Sequence, residues 1–416
     1  MAFWTTPARM WLTRSLRPFR FTNEYDQVLP YDNCPQLGLY VHIPFCRSLC
    51  DFCPYCKVPY EKDRADAYIH ALLQEIHLVT QDHPKREATS LYFGGGTPAL
   101  LYQRLGEIIQ ALQEHFTITQ GIGVELHPED VTVPVLETLR QAGVTKLSIG
   151  IQSFQEPFQS LLGRESPSPE RLKQALSAVP FETVSFDFIF ALPGQTLEDL
   201  QQDVTLAFQS GANHVALYPF IDFTFTKSPV PAGNNREKRK LLDGITAYME
   251  QLGCTRTSLW TFAREEDACY SSMTRENFLG FGGSATTLLR GQFKLNTFSP
   301  EAYGQRIVQK KLPTALTLRF TRRQRMLYYL FWTAYSTWVD PKEFQDFFGE
   351  KLSDCYGLEF WLAQRMGWVE RLQGRWRLTS KGVFAYHYFE GFYTLKYIDR
   401  MWNVLAKEDF PTSITL

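Results

Sequence analysis

The sequence predicts an α/β protein with a parallel sheet, followed by a C-terminal, mainly helical module that is winged-helix-like. Two observations predict this fold class. Between residues 37 and 220, short β-rich runs alternate six times with helical patterns, and the connections are short. From Thr317 onwards the periodicity is helical, and it ends in two short strands around a glycine turn. Alternating strands and helices form a parallel sheet with crossover helices, either an open wound sheet or a partial barrel.

Each element of the alternation has its own pattern. The strands are apolar and β-rich, whereas the helices repeat apolar residues with a period of about 3.6. The helix over 133–143 ends at a glycine, and the helix over 168–179 begins with Ser-Pro. The predicted strands are 37–43, 89–93, 121–126, 145–152, 183–192 and 213–220, and the predicted helices are 66–79, 100–116, 133–143, 168–179, 196–211 and 236–253.

Two interruptions divide the chain into regions. The alternation breaks at 221–235, which is rich in Pro and Gly, and a glycine-rich patch, FLGFGGSATT, follows at 278–287. We expect an N-terminal basic aromatic arm, the region of the parallel sheet, an extension and the C-terminal module. The expected boundaries are 1–36, 37–225, 226–312 and 313–416.

Composition excludes several classes of protein. The chain has 416 residues and a formal net charge of -1, so no global basic field exists and no nucleic-acid partner is expected. Aromatic residues reach 15%, which indicates a thick core or a large flat apolar ligand. No run of about 18 apolar residues predicts a membrane span, and the N-terminus lacks the apolar stretch of a secretory signal. We expect a cytoplasmic protein.

Residues 1–20 have a distinct composition. They carry Arg9, Arg14, Arg17 and Arg20 without an acid, interleaved with Phe, Trp, Met and Leu. A basic amphipathic segment can lie on a membrane surface, so peripheral membrane contact is one interpretation. The other, which we favour on so short a segment, is an arm that packs over the body or covers the active site.

The cysteines are unevenly distributed. Of the eight, Cys46, Cys50, Cys53 and Cys56 lie in one loop, and the rest are scattered singly. A secreted disulfide scaffold is small and spreads its cysteines through the chain. The distribution therefore favours a metal or cluster site in a reducing compartment.

The spacing within that loop is C-x3-C-x2-C, directly after the first strand. Three thiolates can bind three irons of a [4Fe–4S] cluster and leave the fourth iron open to a small molecule. The alternative is a zinc site that also uses Cys56, although structural zinc usually takes two separated cysteine pairs. We expect Cys56 to be a free thiol near the cluster rather than a ligand.

With Phe52 as its aromatic residue, the loop resembles the C-x3-C-x-aromatic-C motif of the radical S-adenosylmethionine (SAM) superfamily. In that superfamily SAM binds the open iron, and its cleavage gives a 5′-deoxyadenosyl radical. The stretches YVHIPFC, GGGTP, SIGIQSF, GR and ALPGQT further resemble the HemN/HemW family over residues 38–300, and more weakly to 385. The resemblance implies a partial (β/α)6 TIM-like radical SAM barrel, whose active site the extension at 226–312 completes.

The resemblance also implies roles for residues at the strand ends. Backbone groups of the glycine run would approach the amino group of SAM, where side chains would clash. Tyr40 would touch the sulfonium or methionine end and, with Glu125, is expected to be catalytic. The expected metal ligands are Cys46, Cys50 and Cys53, and the expected cofactor-binding residues are Tyr40, Phe52, Gly94, Gly95, Gly96, Thr97, Glu125, Gln152, Arg164 and Asp187.

The sequence departs from the family in two places. The coproporphyrinogen enzyme has its fourth cysteine two residues after the third, whereas Cys56 comes three residues after Cys53. The haem-chaperone branch carries a His-Asn…Tyr-Trp motif, but residues 264–283 contain neither His nor Trp. The patch at 278–287 is either a second SAM site, as in some family members, or a packing turn at the barrel edge.

The aromatic residues near the C-terminus do not identify the substrate. Rings crowd the segment from Phe384 to Trp402, where they form core or bury a flat macrocycle or a lipid chain. The favoured function is radical SAM chemistry on an apolar or tetrapyrrole-like substrate, as in coproporphyrinogen III oxidase of porphyrin biosynthesis. Two-SAM methyl or methylene transfer and a haem chaperone without turnover are the alternatives. The resemblance also implies an electron donor such as a flavodoxin or ferredoxin.

Overall fold

The computed structural model describes residues 5–228, 230–231, 233–264 and 276–416. Residues 265–275, which include Cys269 and most of the stretch that lacks the haem motif, lie outside the described residues. The largest sheet has 14 strands, and its centre is parallel. The predicted α/β class is therefore confirmed.

The N-terminal arm packs on the body over residues 5–22. Helix α1 (Thr5–Thr13) lies against the C-terminal module, where the Tyr356 hydroxyl donates to the carbonyl of Leu12 at 3.2 Å. Strand β1 (Arg20–Thr22) joins the large sheet and pairs with strands from the C-terminal half. This placement agrees with the interpretation of an arm that packs over the body.

Six parallel strands form the barrel, and they are adjacent in chain order. Helices follow each of them, as the alternation predicts, and the strand bounds differ from the prediction by only a few residues. The elements in chain order are β2 (Leu37–Ile43), β3 (Phe45–Cys46), β4 (Val58–Pro59), α2 (Lys62–Thr80), β5 (Arg86–Ala88), β6 (Leu91–Gly95), a 3-10 turn (Pro98–Leu101), α3 (Tyr102–His115), β7 (Phe116–Ile118), β8 (Ile122–Leu126), a 3-10 turn (Pro128–Asp130), α4 (Val133–Gln141), β9 (Lys146–Gln152), α5 (Glu156–Leu162), α6 (Pro169–Ala178), β10 (Thr183–Phe190), α7 (Leu197–Gln209), β11 (His214–Pro219) and α8 (Asn235–Gln251).

Local sequence explains where the outer helices begin. Thr196 caps α7 in a reciprocal arrangement with Asp199, and Asn234 caps α8 with Glu237 in the same way. The inner strands are almost wholly buried, because their apolar residues pack against these helices. The barrel therefore presents its strand ends as a rigid platform for a site.

After the barrel, the sheet continues on its other side. Strand β14 pairs in parallel with β2, and the next strands extend the sheet in antiparallel fashion. The glycine-rich composition of 278–287 hid these strands from pattern analysis, since glycine is depleted in strands. The elements are β12 (Thr255–Arg256), β13 (Thr261–Ala263), β14 (Asn277–Phe281), β15 (Thr286–Leu288), β16 (Gln292–Asn296), α9 (Pro300–Val308) and β17 (Thr314–Arg319).

The C-terminal module combines helices with a three-stranded sheet, in the winged-helix-like manner that the sequence predicts. Its last helix contains a π turn (Thr394–Ile398). No helix within the described ranges is both long and apolar enough to cross a membrane. The elements are α10 (Arg322–Tyr335), β18 (Trp338–Val339), α11 (Pro341–Phe348), α12 (Leu352–Arg365), β19 (Val369–Leu372), β20 (Arg375–Leu378), α13 (Ser380–Tyr393), α14 (Asp399–Leu405) and β21 (Ser413–Thr415).

Candidate functional site

The loop that carries the cysteine motif leaves the carboxyl end of β2 and closes on itself. Strands β3 and β4 pair at its base, and the amide of Tyr60 donates to the carbonyl of Cys46 at 2.9 Å. Inside the loop, the amide of Cys53 donates to the carbonyl of Cys50 at 3.3 Å. The three cysteines are therefore held on one closed loop at the edge of the barrel, which we call the cluster loop (residues 46–58).

Burial favours the neutral thiol forms of Cys46 and Cys53. It raises the pKa of Cys46 to about 11, and it also raises the pKa of Cys53. The Thr97 hydroxyl donates to Cys46 Sγ at 3.7 Å, so this predicted SAM-supporting residue contacts a metal-ligand sulfur. Binding of iron would release the thiol protons, and Thr97 would then donate to a thiolate.

Across the described ranges, no group of three His, Cys, Asp or Glu side chains converges on one point as a single metal ion requires. A [4Fe–4S] cube has its ligands on separate irons, so its cysteines do not converge on a single ion. Cys56 donates from Sγ to the carbonyl of Phe298 at 3.1 Å.

The glycine run at the end of β6 (residues 94–96) has no space for larger residues, because predicted site residues pack directly against its backbone. A Cβ on Gly94 would lie 3.0 Å from both Glu125 Oε1 and the Tyr40 hydroxyl. A Cβ on Gly96 would lie 2.7 Å from the carbonyl oxygen of Phe45 and 2.9 Å from Cys46 Sγ. Glycine here lets the cluster loop and the end of β8 approach the same backbone.

Glu125 lies at the end of β8 between the glycine run and a stacked pair of tyrosines. Its carboxylate accepts from the Tyr92 hydroxyl at 2.9 Å and from the Gly95 amide at 3.1 Å. The rings of Tyr40 and Tyr92 stack at 6.3 Å with an interplanar angle of 13°. Burial raises the pKa of Glu125 to about 7, against the opposing effect of the Tyr92 hydrogen bond.

His42 connects Tyr40 to the cluster loop, and sequence reasoning missed it. His42 Nε2 lies 3.0 Å from the carbonyl of Cys56, which only accepts, so Nε2 carries the proton. Nδ1 then accepts from the Tyr40 hydroxyl at 3.1 Å. Burial lowers the pKa of His42 to about 4, so the ring stays neutral and fixes both partners.

Gln152 adopts a left-handed backbone conformation at the end of β9, with φ of 70°. The β9–β10 register shifts at this point, and a residue other than glycine pays about 1 kcal/mol for such a conformation. A Cβ on Gly150 would lie 2.8 Å from Gln152 Nε2 and 3.2 Å from Arg164 Nη2. The bulge therefore brings the predicted pair Gln152 and Arg164 together over a bare glycine.

Arg164 and Asp187 supply opposite charges on the same side of the barrel. Arg164 Nε is buried and, in the described part of the chain, has no hydrogen-bond partner. Asp187 accepts from Ser148 Oγ at 2.5 Å and from Ser185 Oγ at 3.2 Å. Burial raises the pKa of Asp187 to about 6, while nearby Arg164 lowers it. The unpartnered guanidinium nitrogen is suited to an incoming anion.

The structure places Phe52 differently from the other predicted cofactor-binding residues. Its ring packs on an apolar cluster that includes Phe158, Leu192 and Phe220, and so anchors the cluster loop to the end of β10 and the start of the following loops. His127, two residues after Glu125, also lies at this edge. Burial and the nearby Arg164 and Arg47 lower the pKa of His127 to about 3. No spacing rule indicated His127.

Five aromatic rings face each other beside the cluster loop, and we call them the ring cluster: Tyr55, Phe223, Phe225, Phe298 and Trp402. Trp402 stacks on Phe223 at 6.3 Å with an interplanar angle of 14°, and it lies 5.8 Å from Tyr55. Phe225 and Phe298 contact the same indole at 6.4 and 6.2 Å. Tyr55 remains 57% exposed, so the cluster has an open side.

A hydrogen-bonded clasp holds Trp402 over the barrel. Asp399 at the start of α14 accepts from the Thr224 amide and hydroxyl, both at 2.7 Å. A π turn (Thr394–Ile398) directly precedes α14. The hydrogen bonds between Asp399 and Thr224 hold α14 against the loop after β11.

The glycine-rich patch at 278–287 is accounted for by packing. A Cβ on Gly280 would lie 2.0 Å from the carbonyl oxygen of Thr286, and one on Gly282 would lie 2.6 Å from that of His42. The buried Glu75 accepts from the Gly282 amide at 2.6 Å and from the Tyr303 hydroxyl at 2.7 Å. These contacts support the packing-turn alternative and tie the patch to β2 and α2.

Comparison with known proteins identifies relatives of the whole arrangement. The model of the radical SAM superfamily matches residues 40–207. The haem chaperone HemW of Bacillus subtilis is 25% identical over 334 residues, which are 76% of this chain and 88% of that protein. The oxygen-independent coproporphyrinogen III oxidase of Cereibacter sphaeroides is 28% identical over 313 residues, or 68% of this chain and 69% of that protein.

Among solved structures, coproporphyrinogen III oxidase (HemN) from Escherichia coli has the same fold. It superposes with a TM-score of 0.74 at 22% identity and covers 91% of this chain and 96% of its own. At this identity the match shows the fold, which is a radical SAM partial barrel with a C-terminal helical domain. The predicted fold class is confirmed in both parts.

The site residues fit the cofactors of the superfamily, which are a [4Fe–4S] cluster and SAM. Three thiols lie on one loop, bare glycine backbone adjoins Cys46, and the buried Arg164 Nε lacks a partner among the described residues. These are suitable groups for three irons, for an amino group and for a carboxylate, respectively. Residues 40–207 are therefore similar to the radical SAM superfamily, and the longer matches and the shared fold make the chain similar to the HemN and HemW proteins.

Proposed function

We propose that this chain is a radical SAM enzyme that acts on a flat, tetrapyrrole-like substrate, in a reaction of the coproporphyrinogen III oxidase type. The observation that carries the proposal is the ring cluster, because it adjoins the cluster loop through Tyr55 and has an open side. Flat aromatic side chains bury a flat apolar ligand well, and few polar groups are then needed to orient it.

The cofactors and the chain have separate tasks. When bound, the cluster and SAM supply a 5′-deoxyadenosyl radical, which removes a hydrogen atom from the substrate. Cys46, Cys50 and Cys53 would hold the cluster. The remaining residues at the strand ends bind, orient and exclude water.

Tyr40 and Glu125 would orient SAM against the cluster. Tyr40 is fixed by His42 and by stacking on Tyr92, so its ring offers a rigid surface to the sulfonium end. Glu125 is fixed by the Tyr92 hydroxyl and the Gly95 amide and accepts hydrogen bonds from a polar group of the cofactor. Arg164 would pair with the carboxylate, and Gln152 and Asp187 would accept from ribose hydroxyls or adenine.

Substrate decarboxylation is favoured by the relatives that carry this activity in their names. The match between this chain and the coproporphyrinogen III oxidase of Cereibacter sphaeroides covers 69% of that enzyme. In the proposed reaction a propionate side chain loses a hydrogen atom and carbon dioxide, and one electron passes to an acceptor. The ring cluster would hold the macrocycle with one propionate near the cluster loop.

A second candidate function is a haem chaperone without turnover. The observation that favours it is the match to HemW of Bacillus subtilis, which extends over 88% of that protein. The same ring cluster would bind a haem macrocycle. In this case the cluster would serve a structural role, and the haem would be released from the protein in the same chemical form in which it was bound.

Partners and location follow from the chemistry. Reduction of the cluster needs an external donor such as a flavodoxin or ferredoxin, and the cluster loop is accessible, with Leu49 46% exposed. The free cysteines of the described chain suit a reducing compartment, so we infer a cytoplasmic location.

One anaerobic experiment tests the proposal. The reconstituted chain is incubated with dithionite, SAM and coproporphyrinogen III, and the products are analysed by mass spectrometry. We expect 5′-deoxyadenosine together with a porphyrinogen that has lost carbon dioxide. S-adenosylhomocysteine with a methylated or methylene-bearing product would instead assign carbon transfer.

A haem titration of the same preparation separates the second candidate. Stoichiometric haem binding without 5′-deoxyadenosine under reducing conditions would assign the chaperone function and reject the proposal. The Trp402→Ala variant tests the ring cluster in both assays, since the proposal requires that it weakens capture of either macrocycle.

A further inference from the structure

Helix α12 carries an exposed apolar stripe that no other part of the described chain covers. Leu358 and Trp361 are each 51% exposed, Leu362 is 44% exposed, and Met366 at the end of the helix is 47% exposed. Residues three, four and eight positions apart lie on one side of a helix. These four residues therefore form a single surface, which we call the α12 face.

Apolar residues from neighbouring elements flank the α12 face. Trp11 of α1 is 54% exposed, and Arg14, which lies over its ring, pairs with Glu359 of α12 at 2.6 Å. Phe389 of α13 is 49% exposed, and its ring lies 6.2 Å from that of Trp368, two residues beyond Met366. Patches of exposed apolar side chains mark interaction sites.

The charges around the α12 face are mostly positive. Arg365 lies over the Trp361 ring at 5.5 Å, and Lys381 donates to the carbonyl of Met366 at 2.8 Å. Two acids of α12 lie on or beside this face: Asp354 is exposed one turn before Leu358, whereas Glu359 is only 15% exposed and pairs with Arg14. The face thus combines apolar rings with cations that lie at their edges.

We propose that the α12 face docks on the surface of an anionic lipid bilayer. Trp and Met side chains enter the boundary between head groups and acyl chains, while adjacent Arg and Lys side chains reach the lipid phosphates. An anionic leaflet attracts each such cation electrostatically. The geometry involves α12, α1 and α13 together, rather than the N-terminal segment alone.

Two other occupants suit the face less well. In a two-fold contact between copies of this chain, the same patch meets itself, so Arg14, Arg365 and Lys381 would lie near their own counterparts. Like charges in such a contact are unfavourable. In the usual winged-helix order, the helix before the wing is the one that enters the DNA groove, and that helix is α12 here. Base contacts would require polar side chains on it, but α12 presents Leu, Trp and Met.

Vesicle co-sedimentation of the full chain tests the proposal. We expect the chain to bind vesicles of phosphatidylcholine and phosphatidylglycerol about tenfold more strongly than pure phosphatidylcholine vesicles, with the difference lost at high salt. The double variant Leu358→Ser, Trp361→Ser should lose most of this binding. Val308→Ser, at a residue 77% exposed on α9, is the matched control and should bind as the unaltered chain does.

Two outcomes would overturn the proposal. One is equal sedimentation of the unaltered chain and the double variant with anionic vesicles. The other is a dimer in solution, seen by light scattering, that the double variant abolishes. Iron content and SAM cleavage are measured on every variant, and both should be unchanged, which separates this surface from the radical chemistry.

Discussion

The barrel edge and the ring cluster meet at the cluster loop, but they are assembled differently. At the barrel edge, Glu125 takes its partners Tyr92 and Gly95 from the adjacent strand. In the ring cluster, Tyr55 contacts Trp402, which belongs to the last helix of the chain. The first arrangement depends on contacts between adjacent strands, whereas the second depends on how the C-terminal module packs on the barrel.

This difference separates the cofactor chemistry from the choice of substrate. A fold can keep its reactive centre while the elements that cover it change. Changes at the barrel edge should therefore stop SAM cleavage itself. Changes in the ring cluster should leave SAM cleavage intact and reduce only the substrate-coupled reaction.

Removal of a cluster ligand should have the largest effect at the barrel edge. Cys50→Ala should lower iron content and reduce 5′-deoxyadenosine formation by roughly 1,000-fold or more, because the cluster loses one of its three protein ligands. Iron analysis and mass spectrometry measure the two effects. Cys254→Ala is the control, since Cys254 is a buried thiol in the core away from the loop. Normal iron content in Cys50→Ala would contradict the site.

A single added methyl group should be almost as harmful in the glycine run. Gly96→Ala would push against the backbone of Phe45, which cannot move aside freely, and against Cys46 Sγ, which the proposed cluster would hold in place. We expect a roughly 100-fold loss of SAM cleavage from the displaced ligand. Gly304→Ala, where a Cβ meets nothing within 4 Å, should retain full activity.

The two regions also differ in how far the sequence predicts them. The cysteine loop, the glycine run, Glu125 and Gln152 lie at or directly after strand ends, and the alternation alone brings parallel strand ends to one edge. Arg164 instead follows α5, and Asp187 lies within β10. The ring cluster was not predicted, because Trp402 and Tyr55 meet only after the C-terminal module packs on the barrel. Periodicity shows that such rings are buried, but it does not show against which partner.

Other residues were missed for local physical reasons. His42 and His127 carry no spacing signal, and their importance depends on burial and on neighbours from other strands. Strand β14 was hidden because Gly280 and Gly282 are required by close backbone contacts rather than by a strand pattern. Thr97 was expected beside SAM, and only the structure reveals its hydrogen bond to Cys46.

Trp402→Ala tests the ring-cluster side of the comparison. Loss of the indole opens the contacts to Tyr55 and Phe223, so the substrate should no longer be held in a reactive position. We expect substrate conversion to fall roughly 10- to 100-fold, while SAM cleavage without substrate stays the same. Trp11→Ala, at an exposed ring far along the chain, is the control. A parallel loss of both reactions would show that the two regions are not separable.

The carboxylates of the barrel edge predict a pH dependence. Burial raises the pKa of Glu125 to about 7 and that of Asp187 to about 6, so both are largely protonated at pH 5.5. SAM carries a sulfonium cation and should bind the ionised forms better. Its affinity should therefore rise roughly tenfold from pH 5.5 to 8 and level off above that range. Calorimetric titration measures this, and Glu125→Gln should flatten the profile.

The smallest expected effect concerns the potential of the cluster. The Thr97 hydroxyl donates to Cys46 Sγ at 3.7 Å, and a donor to a ligating thiolate stabilises the more negative, reduced cluster. Thr97→Val keeps the shape but removes the donor, so the reduction potential should fall by about 40 mV, which corresponds to about 1 kcal/mol for one electron. A redox titration followed by electron paramagnetic resonance measures the shift. Thr117→Val, on the exposed side of β7, should leave the potential unchanged. A rise, or no change, in Thr97→Val would mean that the hydroxyl serves SAM instead of the cluster, and the barrel edge would then lack a hydrogen bond that tunes its metal centre.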